Sequence, residues 1–557
     1  MVERSYYKEL ETDVLIIGGG AAATEAAINA ADCGATVLLI DKKGYGRSGD
    51  SGQHIAGMLS ASYLGIEGDN VDIILRDAVE AGKWMANQKL TEALCEGINQ
   101  DQVFTKIENY GSLNTRTSDG KLALVYSRNK RRATAGYRLF THTYEVLKRG
   151  VTVLDHTMMT RFLTNGLGVC GATGLNVYTG DFIVIRAKST IVATGGVGLA
   201  VNGTLTNERT GDGHSAAYQV GAEFWNMEFR SISLGCIYPP CLSHVPFIII
   251  DPLTVRDKNG IEFMKGLPEV SDKGMALYRD MKQVEQHIKA GKGSPHGGVY
   301  GQAWLSAVIP AVRHMVRQGC DVTKFEYHWT SVIDYGGLVI NEKAETNVPG
   351  LYACGEIAAN LGAGASIPIR MFSHCITTGR WAGKNAAHRT KSTNKPVIQQ
   401  SQVDSEYKRL CHMLNSTPQR PVLVHDAREQ IQKAATKGCG SWRNEQKAIE
   451  SLAELKNVKE KILPNLYIRD KSNICNIELK EALEVSNMIV CAEMATRSAL
   501  VRTESRGTHL REDYSYMDND NWLKNIYIKQ LDGNMALSTK PIVITKVEPP
   551  TGRINLG

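Results

Sequence analysis

Near its start the chain has two short, unbroken apolar runs separated by a small-residue segment. "VLII" (14–17) shows no alternation, as a strand covered on both faces requires, and "VLLI" (37–40) repeats the pattern. With the glycines and alanines between them, "DVLIIGGGAAATEAAINAADCGATVLLIDKK" (13–43) predicts strand, glycine turn, helix, strand. Two later stretches, "STIVATGG" (189–196) and "TNVPGLYACGEIA" (346–358), each predict a further strand ending at a glycine. Beyond a polar break at "KSTNKPVIQQSQVDS" (391–405) the period changes. "QKAIESLAELKNVKEKIL" and "IELKEALEVSNMIVCAEMATRSAL" carry helical apolar spacing. No internal repeat and no low-complexity tract interrupts the series.

At 557 residues the chain exceeds one ordinary core, so two to four domains are expected. Its 43% hydrophobic and 22% charged residues read as globular. The net charge of +6 is small for the length, and no basic block interleaved with aromatics speaks for a nucleic-acid partner. A modest positive field suits a small anionic substrate. The opening "MVERSYYKELETD" lacks an apolar core for export, and no run nears the roughly 18 apolar residues of a membrane span. The longest candidate, "VPFIIIDPL", has the length of a core strand, so a cytoplasmic protein without a membrane span is expected. None of the twelve cysteines falls in a C-x-x-C, and the closest pair, Cys236 and Cys241, has four residues between. Free thiols are expected rather than an iron–sulfur or zinc site in this chain, so no metal is expected.

The glycine turn carries the first chemistry. Gly18 permits the tight turn, Gly20 lets the backbone approach a pyrophosphate, and Ala23 occupies the third small position; Gly19 and Ala22 complete the segment. The phosphates are expected on the helix N-terminus, where unpaired N–H groups and the dipole favour negative charge. Asp41, 21 residues beyond Gly20, is spaced to accept from a ribose hydroxyl.

Five ordered segments carry a family resemblance. "RTGDGHSAAYQVGAEFWNMEF" (209–229), "MALYRDMKQVEQHIKAGKGSPHGGVY" (275–300) and "RTESRGTHLREDYSYMDNDNWLKN" (502–525) join the glycine turn and "VPGLYACGEIA". Together they resemble the succinate dehydrogenase/fumarate reductase flavoprotein superfamily. The resemblance implies an α/β fold: a Rossmann-like FAD-binding domain (1–220 and 340–395) with an inserted α+β capping domain (221–339). A helical domain (396–527) and a short β-rich tail (528–557) would follow. It also implies FAD contacts from Gly18, Gly19, Gly20, Ala22, Ala23, Asp41, Lys42, Arg47, Ser48, Gly49, Thr194, Gly195, Thr210, Asp212, Gly355, Glu356 and Ser373. An iron–sulfur subunit would be the electron partner in a hetero-oligomer.

Departures from the family bear on the chemistry. The histidine through which its dehydrogenases attach FAD covalently, in R-S-H-T, is Gly49 here, and His54 lies off the motif, so FAD is expected to be non-covalent. "RSG…GMLSASYLG" and "LGAGASIPIRMFSHCITTGRWAG" (361–383) resemble the adenylylsulfate reductase alpha branch instead, although that branch's asparagine near "SASYLG" has become Ala61 or a neighbouring serine. Where fumarate reductases have Q-F-H-P-T-G, the chain reads "EFRSIS", with Arg230 in place of the histidine. "VIDYGG" puts Val332 at the histidine of H-Y-T-M-G-G, with His328 just upstream. "GIEFM" puts Glu262 at the proton-donating arginine of G-E-R-F-M, and the arginine of G-A-N-R-L becomes Ser366, with Arg370 four residues on.

Candidate catalytic residues are therefore Arg230 as an anion anchor, Glu262 as acid or base, and Arg370 with His374 beside the flavin ring. Each has a plainer alternative: a salt bridge within the capping domain, a surface carboxylate, a core histidine. Arg256 and His296 are lesser candidates, and the basic "RNKRRATAGYR" is read as a solvated face. Arg506, His509 and Arg511 are read as contacts or as packing of the helical domain. The sequence points to a FAD-dependent oxidoreductase subunit moving two electrons between a small anionic substrate and an iron–sulfur partner. The alternatives are an electron-transfer or assembly subunit whose substrate site is lost, or adenylylsulfate reductase itself.

Overall fold

The run Val14–Ile17 ends a ten-residue strand, β1 (Lys8–Ile17), and its four side chains are at most 3% exposed. Burying each such aliphatic side chain is worth roughly 1.5–3 kcal/mol. The computed structural model describes residues 7–47, 49–53, 57–59, 70–100, 102–111, 113–114, 118–120, 132–136, 139–201, 208–239, 255–265, 267, 273–301, 317–330, 333–360, 362–363 and 368–556. The "VPFIIIDPL" stretch, Ser48, His54, Ala61, Val332 and Ser366 lie outside them.

After β1 come α1 (Ala21–Asp32) and β2 (Val37–Ile40), completing the expected βαβ start. Four more strands, β3 (Thr152–Leu154), β4 (Thr157–Asn165), β5 (Gly168–Asn176) and β6 (Phe182–Val192), build the main sheet in the order β3-β2-β1-β6-β5-β4. The pairs β3–β2, β2–β1 and β1–β6 are parallel, while β4 and β5 form an antiparallel hairpin on the first half of β6. The helix α2 (Asp212–Gln219) follows, and β7 (Leu351–Ala353) returns to pair in parallel with the second half of β6. Both segments expected to rejoin the first sheet do so.

The long helix α3 (Pro368–Thr390) packs along α1. Methyl groups on Gly379 and Gly383 would collide with the carbonyls of Ala22 and Ala26, so the two backbones touch directly. That contact explains the alanine-rich face of α1 and anchors α3 with its first turns toward the end of β7.

Between α2 and β7 the chain forms a three-stranded antiparallel sheet, Ser233–Tyr238, Glu326–Thr330 and Val299–Tyr300, with the helix Lys273–His287 beside it. Its apolar cluster, including Leu234, Val255, Met264, Val284 and Tyr327, is separate from the core of the main sheet. The root of this segment is sealed by the tail. Phe224–Trp225 pairs with Gly337–Leu338 on one side and with Lys524–Leu531 on the other, and Asn534–Pro541 closes the hairpin.

The C-terminal helices Gln400–Asn415, Val424–Cys439, Glu445–Asn457 and α4 (Ile477–Val501) follow. They share a core with β4 to β6 through Met158, Leu163, Phe182 and Val184. α4 is buried on nearly every side, as its apolar residues around the whole circumference require. Among the described residues no helix is long and apolar enough to cross a membrane.

Candidate cofactor and catalytic site

The glycine turn joins the end of β1 to α1. Gly18 has φ +113°, its N–H donates to the Ile40 carbonyl at 2.9 Å, and any side chain there would strike the Ala193 carbonyl. Gly19 rides over Asp41, whose Cγ lies 2.8 Å from where a methyl would stand. Gly20 caps α1 without a side-chain acceptor, and a methyl on it would meet only Ser51 Oγ, at 3.7 Å. One first-turn donor, the Ala21 N–H, reaches Ser51 Oγ at 3.3 Å. The cradle is thus open backbone at a positive helix end, which fits a dinucleotide phosphate. Asp41 is buried at the end of β2, next to this turn. Ala22 and Ala23 are packing positions: a methyl on Gly355 would meet the Ala22 Cβ, and Ala23 is fully buried.

Lys42 belongs to a different structure. Its ammonium reaches Thr210 Oγ1 at 2.7 Å, Asp212 Oδ2 at 2.9 Å and Glu484 Oε1 at 3.0 Å. Arg428 and Lys480 complete the Glu484 shell, each at 2.8 Å, and Asn487 donates to Asp212 at 3.0 Å. Burial would raise the Glu484 carboxyl, but Lys42, Lys480 and Arg428 outweigh it and hold it at about 2. The end of β2, the start of α2 and α4 are thereby stapled together. Arg47 is exposed, and a methyl on Gly49 (φ +66°) would meet nothing within 4 Å.

At the far end of β6, a methyl on Gly195 would approach only Glu356 Oε2, at 3.9 Å, and Thr194 Oγ1 packs against Gly213 of α2. Gly355 follows β7 with φ +78°. Its N–H donates to Thr378 Oγ1 at 3.0 Å, and its carbonyl accepts from His374 Nε2 at 3.1 Å, so α3 fixes the turn. Burial pushes His374 down to about 4, its bond to the Gly355 carbonyl opposing, so at neutral pH it is an uncharged brace. Ser373 is buried on the same helix, and Arg370 stands in its first turn with its side chain outside the described residues.

A buried ionic cluster stands against Gly196. Glu356 accepts from the Arg209 guanidinium through Oε1, and the same oxygen accepts the Asp334 N–H at 2.9 Å. Asp334 Oδ1 lies 2.8 Å from Arg230 Nε, and its Oδ2 accepts the Val197 N–H at 2.7 Å. Arg230 also donates to the Val197 carbonyl, and Asp50 approaches Arg209 at 3.5 Å. Burial raises the Glu356 carboxyl, Arg209 opposes it, and the charges of Asp334 and Asp50 add to the rise, leaving it at about 8. Asp334 goes the other way: burial would raise it, but Arg230 and Arg209 hold it below the usual range. His214, fully buried nearby, is pushed down to about 4 by burial, with Arg209 and Arg230 adding to the fall against Asp334 and Asp212.

Of the four candidate catalytic residues, the structure therefore brings Arg230, as half of an ion pair, and His374, as a brace, to the turns after β6 and β7. Glu262 is elsewhere. It lies in the turn closed by the Asp257 N–H to Ile261 carbonyl bond, is exposed, and pairs with Lys265 at 3.5 Å. Arg256 bridges Glu262 and Tyr300 through its backbone. His296 stacks on Tyr238 with centroids 4.0 Å apart and bonds Glu326 at 2.7 Å, while His328 faces Glu285 at 3.5 Å. The C-terminal signature is interior. Arg502 binds Glu228 at 2.8 Å and Glu504 at 3.0 Å, Arg506 holds Glu504 with two bonds, and Arg511 holds Asp513. His509 Nδ1 accepts from Arg443 at 2.7 Å and Nε2 donates to the Arg502 carbonyl at 3.2 Å. Sequence reasoning missed Arg209, Asp50 and Asp334. The available signal was charge in apolar surroundings: Arg209 immediately before the TGDG turn, and Asp334 where the family motif H-Y-T-M-G-G has threonine.

Comparison with known proteins matches residues 13–367 to the model of the FAD binding domain and residues 428–554 to that of the fumarate reductase flavoprotein C-terminal region. The fumarate reductase (CoM/CoB) flavoprotein-type relative from Methanothermobacter marburgensis is 27% identical over 529 residues, covering 90% of this chain and 94% of its own length. The solved Sdh1 of Mycobacterium smegmatis, in complex with UQ1, superposes with a TM-score of 0.86 at 23% identity, over 97% of this chain and 96% of its own. Adenylylsulfate reductase of Archaeoglobus fulgidus superposes with 0.77 at 20% identity, over 97% of both chains. The fold of the whole chain is common to all three, and in overall shape it lies nearer to Sdh1 than to the Archaeoglobus enzyme.

Proposed function

Because the chain belongs to the fumarate reductase and succinate dehydrogenase flavoprotein family, we propose that this FAD-dependent oxidoreductase subunit moves two electrons between a small anionic substrate and an iron–sulfur partner. The observation that carries the reading is the bare glycine cradle at the uncapped N-terminus of α1, with Asp41 beside it. FAD, when bound, supplies the two-electron chemistry at its ring. The chain's own residues hold the phosphates at Gly18 to Gly20, take the ribose on Asp41, and present Thr194, Gly195, Gly355, Glu356 and Ser373 to the rest of the cofactor. Gly49, where a covalent attachment would need a nucleophilic side chain, supports non-covalent FAD.

The substrate is assigned to the space between the FAD domain (1–220 and 340–395) and the capping domain (221–339), with Arg370 as its remaining candidate anchor. The helical domain (396–527) and tail (528–557) serve as support, within a cytoplasmic hetero-oligomer. Anaerobic spectroscopy tests the activity: reduce the bound flavin, then add fumarate, adenylylsulfate and other small anions. Rapid reoxidation by one of them is the expected result.

A second reading has its own observation. Arg230 is committed to Asp334 and Glu262 to the surface, which favours an electron-transfer role toward an iron–sulfur partner without a substrate of its own. Reoxidation by the partner alone, and by no small anion, supports it.

A further inference from the structure

Three carboxylates and two guanidinium groups meet around Gly196: Asp50, Asp334 and Glu356 against Arg209 and Arg230. The two arginines, Asp334 and Glu356 are all buried, whereas Asp50 keeps a side chain 27% exposed. A methyl group on Gly196 would stand 2.5 Å from Glu356 Oε1 and 2.6 Å from Asp334 Oδ2, so the two oxygens share one small volume. Burying an uncompensated charge in such a place is costly, and like charges held this close do not both ionise freely. With three acids and two bases, one proton makes the cluster neutral.

We propose that Glu356 and Asp334, held by Arg209 and Arg230, form a proton-holding site coupled to the oxidation state of the flavin. The inference rests on FAD lying along Gly195 and Gly355. Two-electron reduction of FAD with one proton leaves one added negative charge on the cofactor. A carboxylate pair facing that charge binds its proton more tightly, so the site takes up a second proton from solvent whenever it is deprotonated in the oxidised protein. Two electrons then enter with two protons, and no group other than water-borne protons and the external electron donor is consumed.

Other charged and titratable groups face the pair from each neighbouring element. Asp50 comes from the helix Gly49–Gln53, Asp212 and His214 from α2, and the Cys375 and Cys491 thiols from α3 and α4. Burial raises both thiols well above the ordinary range and pushes His214 down to about 4, so none of the three titrates between pH 6 and pH 10. The Glu356 carboxyl, pushed up to about 8, is the group left to respond in that window.

The test is the flavin midpoint potential of the FAD-loaded chain measured from pH 6 to pH 10, for wild type, Glu356→Gln and Asp334→Asn. In wild type the slope is expected to double above about pH 8, one proton per electron pair becoming two, and each variant is expected to keep the shallower slope throughout. A single slope in the loaded wild type, or a break that survives in both variants, overturns the proton site while leaving the FAD reading intact. A chain that takes up no FAD overturns both together.

Discussion

The carbonyl of Ala26 on α1 lies against Gly383 of α3 with no room for a methyl group between them. Four residues earlier Gly379 meets the Ala22 carbonyl in the same way. This contact couples the helix whose N-terminus receives phosphate to the helix that braces Gly355 through His374 and Thr378.

Gly383→Ala is expected to cost about 1–3 kcal/mol by forcing the helices apart. It should also weaken FAD binding, because α1 and the Gly355 turn would shift together. Urea denaturation with and without FAD measures both, with Gly166→Ala as a control, since a methyl there meets nothing within 4 Å.

Lys42→Met is expected to cost about 3–5 kcal/mol by stripping a buried partner from Asp212 and Glu484. The pH dependence follows from Glu484, whose folded pKa of about 2 lies below its ordinary 4.5. That depression contributes about 3 kcal/mol above pH 4.5, lost progressively as pH falls toward 2. Lys42 is shifted upward, so its own contribution is present below about pH 10 and lost only on the alkaline side. Stability measured between pH 5 and pH 2 should therefore fall less steeply in the variant than in wild type.

Arg506→Met leaves the fully buried Glu504 with one cationic partner instead of two, and about 3–5 kcal/mol of destabilisation is expected. The absorption maxima of bound flavin should not move, because the signature is interior packing. A shifted flavin spectrum at unchanged stability would mark a cofactor contact instead.

Glu262→Gln should change turnover by less than about twofold, since a general acid or base contributes about 10²–10⁴-fold and this carboxylate is exposed on a turn beside Lys265. A loss of a hundredfold or more in steady-state turnover would return Glu262 to the reaction.

The parts of the fold that were legible in the sequence are those where one local rule decides. Doubly covered strands read as continuous apolar runs, which gave β1, β2 and β7, and the glycine spacing gave the cradle. The site was less legible because its charges are paired across distant segments. Arg209 and Glu356 are 147 residues apart, and Lys42 and Glu484 are 442 apart. Nothing in the neighbourhood of Lys42 distinguishes a phosphate contact from a staple, and nothing near Arg230 announces Asp334. The sealing of the 224–338 segment by the Lys524–Pro541 hairpin was hidden for the same reason, since strand partners are chosen by tertiary packing.

The most direct test of the account is the flavin content of the purified chain after acid precipitation, read from the absorption of supernatant and pellet. One FAD per chain, all of it in the supernatant, is the expected result. A chain without flavin, or flavin retained in the pellet, would contradict the assignment of this glycine cradle to non-covalent FAD.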